Sequence, residues 1–212
     1  MKVYTCEQRT PEWYAARVGM FTASSASDML AKIKTGEAAA RRDLRMRLVL
    51  ERVTGCAQES PYINAEMQRG IDKEPEAVAA YEALTGNLVR PVGFVAHDTL
   101  KAGCSPDGIV GDYEGVVELK CPKSATHLNY LRGGVMPSDY FGQIVHALWI
   151  TGAKWADFLS FDDRFPDPLQ VFYVRVERDE QQIQSYELLA RMFLAEIDKE
   201  VEEVTALAGA AA

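Results

Sequence analysis

Apolar positions along the chain change their period several times. From Thr10 to Gly55 they recur at helical spacing. Thr10-Pro11-Glu12 supplies a capping hydroxyl, a proline suited to the first helical turn and an acid within that turn, so a short helix is predicted to about Arg17, stopped by Gly19. Thr22-Ala23-Ser24 caps a second helix bearing Met29, Leu30 and Ile33, and Leu44, Leu48, Val49 and Val53 form the stripe of a third that ends at Gly55. A longer helix spans about Ala65 to Thr85, with Ala77, Val78, Tyr81 and Leu84 on its apolar face and Gly86 as its C-cap.

Between Leu88 and Cys121 the runs shorten. Leu88–Arg90, Phe94–Ala96, Lys101–Cys104, Asp107–Val110 and Val116–Cys121 are bounded by turn residues and read as strands, with Gly111–Gly115 as a hairpin turn. Helices return at about Ser124–Leu131 and Ser138–Thr151, and strands at Trp155–Phe161 and Leu169–Val176. A long final helix carries Ile183, Leu188, Leu189, Met192, Phe193 and Ile197, and the Ala-rich end from Ala206 is predicted to fray. The order predicts an α+β fold of three layers, α/β/α, around a central sheet, and no regular βαβ repeat.

Composition narrows the class. With 212 residues, 48% of them hydrophobic, the chain is globular and is expected to form one domain. No apolar run reaches membrane-spanning length and the first residues carry no signal-peptide pattern, which predicts a cytoplasmic protein without a membrane role. Cys6, Cys56, Cys104 and Cys121 lie far apart and His97, His127 and His146 lack short ligand spacing, so reduced thiols are expected and a zinc site is not. A net charge of −8 argues against coating nucleic acid with the whole surface, yet leaves room for a basic cleft in an acidic body. No Gly-rich phosphate loop is present.

The chemistry concentrates in Cys104-Ser105-Pro106-Asp107-Gly108 and Val116-Val117-Glu118-Leu119-Lys120-Cys121-Pro122. Residues two apart in a strand share a face, so Glu118 and Lys120 point one way and Leu119 the other, into the core. A hairpin between Asp107 and Glu118 sets their carboxylates side by side. Two carboxylates and a backbone carbonyl form a hard oxygen site suited to Mg²⁺ or Mn²⁺, and an adjacent ammonium can serve a water and a phosphate. An acid-x-Lys triplet alone is common, and its ordinary reading is an exposed ion pair on a sheet edge. Here the two charges interrupt an apolar strand, where unpaired charge is costly to bury.

Asp…Glu-x-Lys on a hairpin resembles the restriction-endonuclease-like nuclease superfamily. The wider pattern resembles the phage lambda exonuclease, or YqaJ-type alkaline exonuclease, family. Its matching residues are Thr10-Pro11-Glu12-Trp13, Arg17-Val18-Gly19, Thr22-Ala23-Ser24, Arg69-Gly70 with Glu74, the two stretches above, and Tyr140 with Gln143 and Trp149. The resemblance runs from about Gln8 to about Glu196 and implies a restriction-endonuclease-like core with a central mixed sheet. It divides the chain into an N-terminal helical part (1–60) with end-binding residues, a catalytic core (61–176) and a C-terminal helix with its tail (177–212). It implies that Asp107, Glu118 and the Leu119 carbonyl hold Mg²⁺, with Mn²⁺ as substitute. Lys120 would serve the attacking water, Glu74 would support the metal site, and Gln143 would lie near the catalytic centre. Arg17, Ser24 and Ser105 would bind the 5′-phosphate of DNA.

Each residue has a plainer alternative. Arg17 suits a helix C-terminus, Ser24 an N-cap, Glu74 a solvated helix face and Gln143 a buried backbone cap; Trp13 and Trp149 suit the core. Lys123, Arg132 and Lys154 are further candidates for phosphate contact. The expected activity is a 5′→3′ exonuclease on linear duplex DNA that leaves 3′ overhangs for homologous recombination, with a phage-type single-strand annealing protein as partner. The alternatives are a structure-specific or restriction-like endonuclease and a non-catalytic DNA-end-binding module. The resemblance further implies a toroidal homotrimer; the acidic balance then requires basic residues to gather in its channel, with Arg17, Lys32, Lys34, Arg41, Arg42, Arg45, Lys120 and Lys123 as candidates. The acids of the final helix, Glu196 and Glu200 among them, would then face outward.

Overall fold

A computed structural model of the protein describes residues 1–58 and 64–210. The chain runs β1 (Lys2–Tyr4), α1 (Pro11–Arg17), β2 (Phe21–Thr22), a 3-10 turn (Ala23–Ser25), α2 (Ala26–Leu30), α3 (Ala39–Thr54) and α4 (Ala65–Thr85). It continues through β3 (Phe94–Ala96), β4 (Ala102–Cys104), β5 (Gly108–Val110), β6 (Gly115–Lys120), α5 (Ser124–Gly133) and α6 (Ser138–Thr151). Strand β7 (Trp155–Phe161), a 3-10 turn (Asp167–Leu169), β8 (Val171–Glu177) and α7 (Glu180–Ala210) complete it.

Local chemistry accounts for most boundaries. Thr10 accepts from Trp13 N at the start of α1, and Asn64 accepts from Met67 N at the start of α4, so both side chains satisfy amides that the helices leave open. Helices α3, α4, α5 and α6 each end on a left-handed glycine: Gly55, Gly86, Gly134 and Gly152.

The α+β plan holds, with the strands divided between two mixed sheets in place of one. The first has the order β1-β3-β4-β2 and the second β5-β6-β7-β8. In the second sheet, β5–β6 and β7–β8 are antiparallel and β6–β7 is parallel. Its two faces are covered differently. Val117 and Leu119 join Ala77 and Tyr81 of α4 in one cluster, while Val116 and Ala156 join Ile144 and Leu148 of α6 in another. Three layers result around this sheet, and the alternation along β6 settles which face receives Glu118 and Lys120.

Several expectations are corrected. Leu88–Arg90 is no strand; Arg90 makes a single bridge to Ile109. Helix α2 stops at Leu30, which leaves Ile33 exposed beyond it. No side-chain cap bond forms at the start of α2 or of the 3-10 turn before it, and the Ser24 hydroxyl instead lies 3.2 Å from the Thr22 hydroxyl. Val53, Leu84, Leu188, Leu189 and Met192 sit on exposed flanks of their helices. Helix α7 stays helical through Ala206–Ala210, so the fraying expected there is not seen; residues 211–212 lie outside the described residues.

The proposed separation of basic channel and acidic exterior also fails on α3. Arg41 pairs with Glu37 and Glu196, Arg45 with Glu37 and Glu200, and Arg42 with Asp43. The acids of α7 pack against the arginines of α3, because the two helices adjoin and opposite charges at their rim compensate each other.

Candidate active site

The β5–β6 hairpin builds the centre. Asp107 N donates to Val117 O at 3.0 Å, and Leu119 N donates to Asp107 Oδ2 at 2.6 Å. Asp107 is therefore pinned just before β5, whose pairing starts at Gly108 opposite Val117. A side chain at Gly108 would collide with Val89, the nearest Val89 carbon standing 2.1 Å from an added Cβ, so this close turn requires glycine. The amide and carbonyl of one strand residue point to the same side, so the Leu119 carbonyl lies on the Asp107 edge of β6, beyond the last β5 pair.

Glu118 faces α6, where Gln143 Nε2 donates to its Oε1 at 2.5 Å and the Lys120 ammonium donates to the same oxygen. The Glu118 side chain is only 6% exposed, and these two donors offset its lost hydration. Lys120 also lies 5.3 Å from the centre of the Tyr140 ring, a favourable position for a cation. Burial disfavours the lysine charge, but Glu118 and Asp107 outweigh it and hold the ammonium above its ordinary range. Burial, and then the Glu118 carboxylate, push Asp107 up to about 7, against the pull of Lys120.

Glu74 joins them from α4. It lines two cavities, of about 490 and 660 Å³, that both reach Asp107, and it adds to the negative field on that residue. The carboxylate is paired with Arg9 Nη2 at 2.7 Å, so it is no solvated helical acid. Leu119, Lys120, Lys123 and Tyr140 line the larger cavity. Lys123 thus keeps its candidacy for phosphate contact, whereas Lys154 pairs with Glu114 on an exposed surface.

A second cluster lies one short step along the chain. Strand β4 ends at Cys104, and the Ser105 hydroxyl accepts from Arg17 Nη1 at 3.0 Å and from Trp13 Nε1 at 2.9 Å. The guanidinium of Arg17 lies over the Trp13 ring, 4.1 Å from its centre. Burial brings Arg17 down to about 10, and the neighbouring Arg47 adds to this; it remains a cation at neutral pH. Trp13 is accordingly part of this cluster and only half-buried, whereas Trp149 is core as expected. Arg17 and Ser105 are brought together. Ser24, exposed at the 3-10 turn, is not joined to them by a hydrogen bond.

Sequence reasoning missed Gln8, Arg9 and Arg47. Gln8 Nε2 donates to Val92 O and Pro106 O, Arg9 reaches Glu74, and Arg47 Nη2 donates to Ser25 Oγ. A polar residue in a loop with its partner 65 or more positions away leaves no periodic signal; for Arg47 the only hint was its place on a helix rich in arginine.

Known proteins resemble this chain over most of its length. The family model described as the YqaJ-like viral recombinase domain matches residues 12–154. The alkaline exonuclease LHK-Exo from Laribacter hongkongensis is 40% identical, with a TM-score of 0.86 over 96% of this chain and 100% of that one. The same enzyme in complex with dAMP gives 41% identity and a TM-score of 0.87 at equal coverage. A phage-related exonuclease from Haemophilus somnus 129PT, 13% identical over 87% of this chain and 96% of that one, shares the fold with a TM-score of 0.65. The curated proteins compared with the chain include no match. Among the described residues no helix is long and apolar enough to cross a membrane. The chain belongs to the YqaJ-like viral recombinase family and is a deoxyribonuclease of the alkaline-exonuclease type.

Proposed function

We propose that the protein is a Mg²⁺-dependent 5′→3′ exonuclease that digests one strand of linear duplex DNA from 5′-phosphorylated ends and leaves 3′ overhangs for an annealing partner. The observation that carries this reading is the cluster of Asp107, Glu118, Gln143 and Lys120, of which Asp107 and Lys120 line a cleft, two residues along the chain from the Arg17–Ser105 pair. Two residues span at most roughly 7 Å, so a terminal phosphate on Arg17 and Ser105 sets the nearby phosphodiester beside Asp107. That spacing suits removal of a short terminal unit at each step.

The donor set fits a hard divalent cation. Asp107 Oδ1 and Glu118 Oε2 are the oxygens that the hydrogen bonds above do not use, and the Leu119 carbonyl adds a third. The crowding that pushes Asp107 up is what a cation relieves. Among the described residues no three His, Cys, Asp or Glu side chains already form a metal cluster. Two carboxylates and a carbonyl leave room for water and phosphate, as Mg²⁺ sites do. When bound, Mg²⁺ supplies charge stabilisation at the phosphate and a more acidic water. Lys120, held as an ammonium, orients the attacking water and stabilises charge building on the phosphate. Gln143 holds the Glu118 carboxylate through Oε1, which leaves Oε2 for the cation. Arg17 and Ser105 select the charged 5′ end. A toroidal homotrimer is the assembly that goes with this reading, since a ring keeps hold of the strand between steps.

The test is digestion of linear and closed circular duplex DNA with Mg²⁺ or chelator. Loss of linear DNA only, with release of mononucleotides and only with Mg²⁺, is expected. Arg17→Ala should slow digestion of 5′-phosphorylated ends more than of 5′-hydroxyl ends, by roughly tenfold or more. Cutting of closed circles would overturn the exonuclease in favour of an endonuclease.

A further inference from the structure

Arg9 combines three properties that its surroundings do not otherwise explain. Its backbone is left-handed, φ 69°, a conformation that residues with a Cβ adopt at a cost. Its neighbours lock that conformation in place. Gln8 Nε2 donates to Pro106 O at 2.8 Å and to Val92 O at 2.9 Å, and the Thr10 hydroxyl donates to Glu7 O at 2.7 Å. The loop is thereby tied to the residue that precedes Asp107. Lastly, Arg9 shares with Glu74 and Asp107 the position of lining both cavities, so its ion pair with Glu74 stands between them at the catalytic carboxylate.

Stability does not account for this arrangement. The Arg9 side chain is 41% exposed, and an ion pair so wet contributes little to folding. Charge does. Asp107 and Glu74 present carboxylates to an incoming phosphate, the Glu118 charge acts on Asp107 from behind, and the Lys120 ammonium is already engaged by Glu118. The Arg9 guanidinium lines the same cleft, as does Lys123, and its exposed pairing with Glu74 leaves it able to change partners.

We propose that Arg9 is a substrate-contacting residue that exchanges Glu74 for a phosphodiester of the DNA strand at Asp107. The two non-bridging oxygens of the phosphate match the fork of the guanidinium. The exchange frees the Glu74 carboxylate at the moment the substrate arrives, so Glu74 holds Arg9 ready in the empty cleft and turns to the reacting site in the loaded one. The proposal rests on the nuclease reading above.

Equilibrium binding of a 5′-phosphorylated duplex in chelator, where nothing is cleaved, tests it. Arg9→Ala should weaken binding roughly tenfold or more and make the salt dependence shallower by about 0.9 in log–log slope, one phosphate's worth. Arg9→Gly, which adopts φ 69° without a Cβ clash, should lose binding equally while keeping the fold. Arg9→Lys should keep the slope and bind less tightly than wild type. Glu74→Gln should tighten binding in chelator, and adding Arg9→Ala to it should remove that gain. Unchanged affinity and slope in Arg9→Ala, or no effect of Arg9→Ala once Glu74 is Gln, would make Arg9 only the counter-ion of Glu74. A wild-type protein that binds no duplex end would overturn the proposed duplex-end activity as well.

Discussion

Asp107 carries its charge with difficulty, and the direction of that difficulty has consequences for pH. Burial and Glu118 push it up to about 7, whereas an unfolded aspartate titrates near 4. Between those values the unfolded chain releases its proton before the folded one does, so stability falls as pH rises through this window and stays reduced above it. His146, brought down to about 3 by burial, acts the other way as pH falls below its ordinary range, so the wild-type curve mixes the two. A pair of proteins separates them. In chelator, Asp107→Asn should melt higher than wild type at pH 8, with the gap closing toward pH 4, as calorimetry would show. Added Mg²⁺ should narrow the gap at pH 8 by stabilising the wild type alone. A gap independent of pH would mean that Asp107 is not under electrostatic strain.

Two elements meet closely to place the site, and glycine lets them. A Cβ at Gly93 would lie 2.1 Å from Cys6 O and 2.6 Å from Tyr4 O, so its absence lets β1 and the loop after it run against β3. The Gly93 carbonyl also accepts from Trp13 Nε1, the indole that supports Arg17 and Ser105. Gly93→Ala must therefore push the Glu7–Thr10 loop away from both clusters at once. It should destabilise the fold by about 1–3 kcal/mol, the usual cost of overpacking, and weaken duplex binding in chelator. Denaturant titration and binding on the same sample check both. Loss of stability with unchanged binding would show that the loop's position does not matter to the site.

At the scale of the whole molecule the acidic balance is managed by local pairing. Arg41, Arg45 and Arg52 of α3 meet Glu196, Glu200 and Asp198 of α7, so the charges of these three arginines are compensated within the protein. Among the described residues, Arg9, Lys120 and Lys123 line the cleft, and Arg17 lies against Ser105, two residues before Asp107. Few phosphates are neutralised at once, so affinity should fall with salt on a shallower slope than for a protein that contacts 6–10 of them. If a ring encloses the strand, salt and competitor DNA added after loading should slow digestion far less than the same additions before mixing. Equal inhibition by both, with sedimentation as a monomer, would contradict the ring and leave a distributive nuclease.

The amino-acid sequence by itself determined what depends on near neighbours. The caps at Thr10 and Gly86, the extents of α4, α6 and β7, and the hairpin that joins Asp107 to Glu118 all arise from residues within a few positions of each other, where period and turn chemistry act directly. The face shared by Glu118 and Lys120 was legible for the same reason, since strand alternation is a local property. What only the tertiary structure decided involves distant partners. Strand β2 pairs with β4 some eighty positions on, which splits the strands into two sheets; Arg9 meets Glu74 across 65 residues and Arg41 meets Glu196 across 155. Ser24 lost its capping role and Leu88–Arg90 its strand because the packed core, not local propensity, chose the path of the backbone there. A charged residue in a sequence carries the capacity to pair. Which opposite charge it meets is set only when burial of apolar faces brings two segments together, so the chemistry could be read early, while the Arg9–Glu74 ion pair and the pairing of α3 arginines with α7 acids needed the fold.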